Sequence, residues 1–153
     1  MPTYEALLQQ ELGLELTTFD GDAAQLLGKM IVDRAKQEGK ALTVTISLGR
    51  QTMFHYGVPA HGPNADHWLR RKCNAVYEYH MSSLRLGAKL IKEESSLEVE
   101  GRSTDDFTGI GGAVPIIVKG VGVVGAVAVT GMPHVEDHEF VCAALKSLQQ
   151  TLS

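Results

Sequence analysis

The chain has 153 residues, a formal net charge of -4 and 21% charged residues. A single domain of that length buries roughly 68–70% of the surface its unfolded chain exposes, so it needs no disulfide or metal staple. Both signs of charge are scattered, and Arg70-Arg71-Lys72 is the only tight basic cluster, which excludes a nucleic-acid groove or an anionic membrane surface as the main partner.

The first segment, about Thr3 to Leu12, reads as a short helix with Leu7, Leu8 and Leu12 on one side. It has acids and no basic start, so it is not a signal peptide. Asp20-Gly21-Asp22 is a turn and N-cap, and the amphipathic helix after it carries Ala23, Leu27, Met30, Ile31 and Ala35 inward, stopping at Gly39. Leu42, Val44, Ile46 and Leu48 then alternate with Thr43, Thr45 and Ser47, the pattern of a half-buried strand. Gly49-Arg50 turns the chain into a second strand, Thr52–Tyr56. Val58 to Pro63 is a loop, because its prolines and glycines cannot hold a ladder.

Asn64 is placed to cap a long helix, Ala65 to Tyr79, with Trp68, Leu69, Cys73 and Val76 on its apolar side. His80-Met81-Ser82-Ser83 interrupts it, and Ser82 or Ser83 can cap the next helix, which runs to about Lys92. Leu97 and Val99 suggest a short strand, and Gly101–Ile110 a polar loop. Ala113–Val118 and Val121–Val129 are apolar, β-branched runs joined at Lys119-Gly120, a two-residue hairpin turn. Their continuous apolarity implies strands covered on both faces, or a homo-oligomer that hides what the chain leaves bare. The longest apolar run is only about half a membrane span. His134–Leu152 is the closing helix.

This order gives an α/β (α+β) fold, a three-layer α/β/α arrangement of the profilin-like or PAS-like kind with a mostly antiparallel sheet. No linker or repeat divides the chain, so one domain over 1–153 is expected. Cys73 and Cys142 fall in helical segments outside any CxxC pattern, which reads as two buried thiols in a reducing cytoplasm.

Three stretches carry a resemblance. They are the helix and hairpin from Asp22 to Gly57 ending VTISLGRQTMFHYG; the helix and Ser pair WLRRKCNAVYEYHMSS; and DDFTGIGGAVPIIVKGVGVVGAVAVTG followed by VEDHEFV. Together they resemble the haem-degrading domain family (GlcG/HbpS-like proteins), and within it the stand-alone, uncharacterised cytosolic branch. The resemblance implies a profilin-like fold, homo-oligomers and, for some relatives, haem or corrinoid-related ligands. Haem is therefore the cofactor it suggests, although fold does not fix function.

No catalytic constellation stands out, and no metal ligand is assigned. His134 and His138 share a helical face, but the segment is not a zincin motif, and acids at a helix start follow from the macrodipole. His55, His61 and His67 recur every six residues without a specific metal spacing and read as surface or loop histidines. The expected ligand site lies where the long helix ends against the Gly-Gly loop: Trp68, Arg71, Lys72, His80, Ser82, Ser83, Gly111 and Gly112. Trp68, Arg71 and Lys72 share a helix face that offers an aromatic surface and two cations. His80 sits at a break, Ser82 and Ser83 open a helix N-terminus, and the glycines let a ligand touch backbone. The same features also suit a solvated helix face, a structural histidine and a tight turn. The function expected is small-ligand binding, with haem or a related tetrapyrrole first; the alternative is a non-catalytic oligomeric scaffold for other proteins.

Overall fold

The computed structural model describes residues 1–153. Its elements are α1 (Tyr4–Leu12), α2 (Gly21–Glu38), β1 (Leu42–Leu48), β2 (Gln51–Val58), α3 (Ala65–Tyr79), α4 (Ser83–Lys92), β3 (Ala113–Val118), β4 (Gly122–Thr130) and α5 (His134–Leu152). The four strands form one sheet in the order β2-β1-β4-β3, antiparallel throughout. This is an α+β fold in three layers.

Three of the five helices, α1, α2 and α4, open on a side-chain cap. The Asp20 side chain accepts from Ala23 N at 2.8 Å to open α2, and Gly39 closes it in the left-handed conformation. Thr3 caps α1, and Ser82 caps α4 by accepting from Arg85 N. One face of the sheet, from Val44, Ile46, Val114, Ile116, Val127 and Val129, packs against α2 and α5. On the other face Ala113, Ala126 and Ala128 meet Leu69, Cys73 and Val76 of α3. The small side chains there let α3 lie close to the sheet.

Several expectations change for physical reasons. β1 is covered on both sides, since Thr43 and Ser47 are buried under α3. Ser47 Oγ meets the Tyr77 hydroxyl at 2.5 Å and accepts from Ala126 N, so these inward polar groups are satisfied. β2 extends beyond the Thr52–Tyr56 core to Gln51–Val58. The β3–β4 turn has three residues, Lys119-Gly120-Val121, because Val118 pairs with Gly122. Both faces of the hairpin are covered within the chain over Ala113–Ile116 and Gly125–Val129, while Ile117, Val118, Val123 and Val124 nearer the turn are only half-buried and Val121 is exposed.

Leu97 and Val99 form no strand. Leu97 packs against Ala75, Met81 and Leu86, while Val99 is 78% exposed. At the far end of edge strand β3, Leu16 bridges Val118, with Leu16 N donating to Ile117 O. Pro115 lies on that edge strand, where its missing N–H is tolerated. In α1, Leu12 is exposed and Glu11 is buried instead. No helix is long and apolar enough to cross a membrane.

Candidate functional site

All four strands bring one end to the same side of the sheet: the starts of β1 and β3, the ends of β2 and β4. A cleft of about 590 Å³ opens there. Its floor is Leu42 and Thr43 of β1 and Thr130 of β4. The loop after β2 forms one rim through Pro59, Ala60, Gly62, Pro63 and Asn64, and α3 contributes Ala65, Trp68 and Lys72. Ile110, Met132, His134 and Asp137 close the other side.

Lys72 dominates the electrostatics. Its side chain is 2% exposed, yet its ammonium donates to Val129 O at 3.0 Å and to Asp137 Oδ2 at 3.2 Å. An ammonium has three donors, so one remains for the cleft. Asp137 Oδ1 accepts from Met132 N at 3.1 Å, which fixes the turn into α5. Burial pushes the Asp137 carboxyl up to about 6 against the opposing pull of Lys72, and burial lowers Lys72 in turn. The pair joins the helix layers on opposite faces of the sheet around the sheet's end.

The Gly-Gly loop lies directly behind this pair. A Cβ at Gly112 would stand 2.5 Å from Val129 O and 2.7 Å from Lys72 Nζ. Gly111 N donates to His134 Nδ1 at 3.0 Å. That bond places the hydrogen of a neutral His134 ring on Nε2, as a donor. α3 and α5 both begin at the cleft, and neither has a side-chain cap: Asn64 and Pro133 make no such bond. Two helix N-termini without side-chain caps therefore face one opening, each with acids in its first turn: Asp66 in α3, Glu136 and Asp137 in α5.

Trp68 and Lys72 thus stand on the cleft wall, with Gly111 and Gly112 packed behind it. The loop does meet the start of α4, where Ala113 N donates to Ser83 Oγ. Ser82 and Ser83 are wholly buried; Ser82 donates through both N and Oγ to the Glu11 carboxylate. Their groups are engaged within the fold. Arg71 is engaged too. Its guanidinium stacks 4.6 Å over Trp68 and donates to Thr104 O and Phe107 O, tying down the polar loop. His80 is exposed at the α3 C-cap with φ 55°, and it is no part of the cleft.

Sequence reasoning missed Asp137 and His134 as cleft residues, reading the acids as helix-start chemistry. The available signal was Lys72, which falls three residues after Leu69 on the apolar stripe of α3. A cation there demands a buried partner. The His134/His138 pair is split: His138 is buried, meets Gln10 Oε1 at 2.7 Å and is lowered by burial to about 4. His55 and His61, by contrast, converge with Asp66, their donor atoms all within 4.8 Å of one another. His67 stands edge-on to Trp68 instead.

Residues 19–146 match the family model described as haem degrading protein HbpS-like. A UPF0303 protein of Serratia proteamaculans (strain 568) is 35% identical over 142 residues, covering 92% of this chain and 88% of the relative. A UPF0303 protein of Streptomyces coelicolor is 36% identical over 146 residues, covering 95% and 92%. Among solved structures, the Ybr137w protein superposes with a TM-score of 0.86 at 24% identity, over 97% of this chain and 88% of that one. A PduOC:Heme complex gives 0.67 at 15% identity, over 85% and 94%. The last two likenesses are of fold; the family match and the identities to the UPF0303 proteins place this chain in the HbpS-like haem degrading protein family.

Proposed function

We propose that the cleft binds a small amphipathic ligand with an apolar, flat body and acidic groups, and that haem or a related tetrapyrrole is that ligand. The observation that carries this reading is the convergence of two uncapped helix N-termini and the spare Lys72 donor on a partly apolar cleft. Carboxylates are held by such ends, while Trp68, Ile110 and Met132 offer surface to a ring. The volume lies within the roughly 300–1,000 Å³ of ordinary ligand sites. The family and the haem complex of a structural neighbour point the same way.

The residues fit the body and acids of a tetrapyrrole better than its iron. His134 is the imidazole on the cleft wall, and with Gly111 N–H on Nδ1 its Nε2 keeps a hydrogen. Binding should then depend little on the metal. Titration with haemin should give a saturable, shifted Soret band, and metal-free protoporphyrin should bind within tenfold of it. No saturable change with either would overturn the reading. Trp68→Ala and His134→Ala should each weaken binding at least tenfold, about 1.4 kcal/mol. His80→Ala should leave it unchanged, the reverse of what sequence alone suggests.

The two buried, unpaired thiols support a cytoplasmic location. The family likeness supports self-association, and a light-scattering mass of at least a dimer is expected. A light-scattering mass near the 16.5 kDa chain mass would overturn it.

A further inference from the structure

We propose a second site, separate from the cleft: His55, His61 and Asp66 bind a divalent transition-metal cation of the zinc, nickel or copper type. The three residues come from different elements, the edge strand β2, the loop after it and the first turn of α3. His55 Nε2 stands 3.5 Å and His61 Nε2 3.2 Å from the same oxygen, Asp66 Oδ1. Two donors each about 2.1 Å from a tetrahedral ion lie about 3.4 Å apart. Both nitrogen–oxygen separations already match that spacing, and the rings are 5.3 Å apart between centroids.

The backbone arranges this convergence. His55 pairs with Thr45, on the sheet face that α3 covers. The chain then folds back so tightly that a Cβ at Gly57 would stand 2.6 Å from Ala60 C and His61 N. Glycine at 57 is what lets His61 return to His55. Imidazole nitrogen with one carboxylate selects borderline transition ions over magnesium or calcium, which prefer all-oxygen sets. Each ligand side chain keeps at least 39% exposure, so an ion can enter and hold water in its remaining positions. The same loop carries Pro59, Ala60, Gly62 and Pro63 to the rim of the ligand cleft, so a bound ion would pin that rim.

The test is isothermal titration of the metal-stripped full chain with zinc chloride, with no other ligand present. One saturable equivalent is expected. His55→Ala, His61→Ala and Asp66→Asn should each lower affinity at least tenfold, and His67→Ala should not. Cobalt should give the visible bands of a low-coordinate nitrogen–oxygen site in the wild type and lose them in His55→Ala. Because the substituted side chains are exposed, circular dichroism should show all variants folded. Absence of a saturable equivalent, or full affinity retained in His55→Ala or Asp66→Asn, would overturn the assignment.

Discussion

Lys72 of α3 and Asp137 of α5 meet at 3.2 Å with both side chains 2% exposed, although 65 residues separate them. Burying two charges is costly unless they are paired and their other donors and acceptors are used. Here Val129 O and Met132 N complete the set. The pair therefore registers two helices on opposite faces of the sheet and shapes the cleft between their starts.

The Asp137 carboxyl, raised by burial from 3.8 to about 6, makes this pair pH-dependent. A raised carboxyl means the folded state binds the proton more tightly than the unfolded state. Its stability contribution is full below 3.8 and lost as pH rises through about 6. The difference in unfolding free energy between the wild type and Asp137→Asn should fall across that window and flatten above it. Denaturant titrations at pH 4, 5, 6 and 7.5 give the curve; a difference that is constant or climbs would contradict the assignment.

Gly112→Ala should damage both fold and cleft. The residue has φ 141°, a region reserved for glycine, and strain there costs about 1–3 kcal/mol. The added methyl also meets Val129 O and displaces the Lys72 ammonium. A lower melting temperature together with a shifted Asp137 titration is expected. An unchanged melting temperature would mean that the loop takes another path.

Glu11 should matter as much as any core residue. It is 3% exposed, accepts two hydrogen bonds from Ser82 and stands 3.4 Å from Arg85 Nε. Glu11→Ala leaves Arg85 buried without its counter-ion, a loss of about 3–5 kcal/mol. Urea unfolding should show this, and Glu11→Gln should recover part of it by keeping an acceptor for Ser82. Equal stability of the alanine variant and the wild type would dismiss the contact.

Cys73 and Cys142 should never bridge. One packs on the α3 face of the sheet and the other on the α2/α5 face. Burial pushes the Cys73 thiol up to about 12 and raises Cys142 as well, so neither is a ready nucleophile. Thiol counting should find two reactive groups in denaturant and almost none under native conditions.

Sequence alone carried the secondary structure wherever local chemistry is decisive. The 3.6-residue stripe of α2, a serine cap at Ser82 or Ser83, the helix break at His80 and the alternation of β1 are all set by neighbours within a few residues. The antiparallel hairpins followed from short turns. Leu97–Val99 was misread because two apolar residues cannot say whether a strand or a side-chain cluster will take them, and Leu97 packs among Ala75, Met81 and Leu86 while Val99 stays exposed.

The site depended on distance across the fold. Trp68 and Lys72 could be singled out from their helix, and Gly111-Gly112 from its need for close approach. The apolar stripe of α3 marks Lys72 as the inward cation and leaves Arg71, one position before it, to turn outward to Thr104 and Phe107, but nothing local names Asp137, 65 residues away, as the partner of Lys72. His80 looked available because a helix break frees a side chain, yet the break points it to solvent. His55 and His61 looked unremarkable because their shared partner, Asp66, lies beyond a proline-rich loop whose path only tertiary packing sets. Periodicity and capping are short-range effects and are written in the chain. Which buried charges meet, and which loops fold back on a strand, is decided by desolvation and packing between segments far apart in sequence.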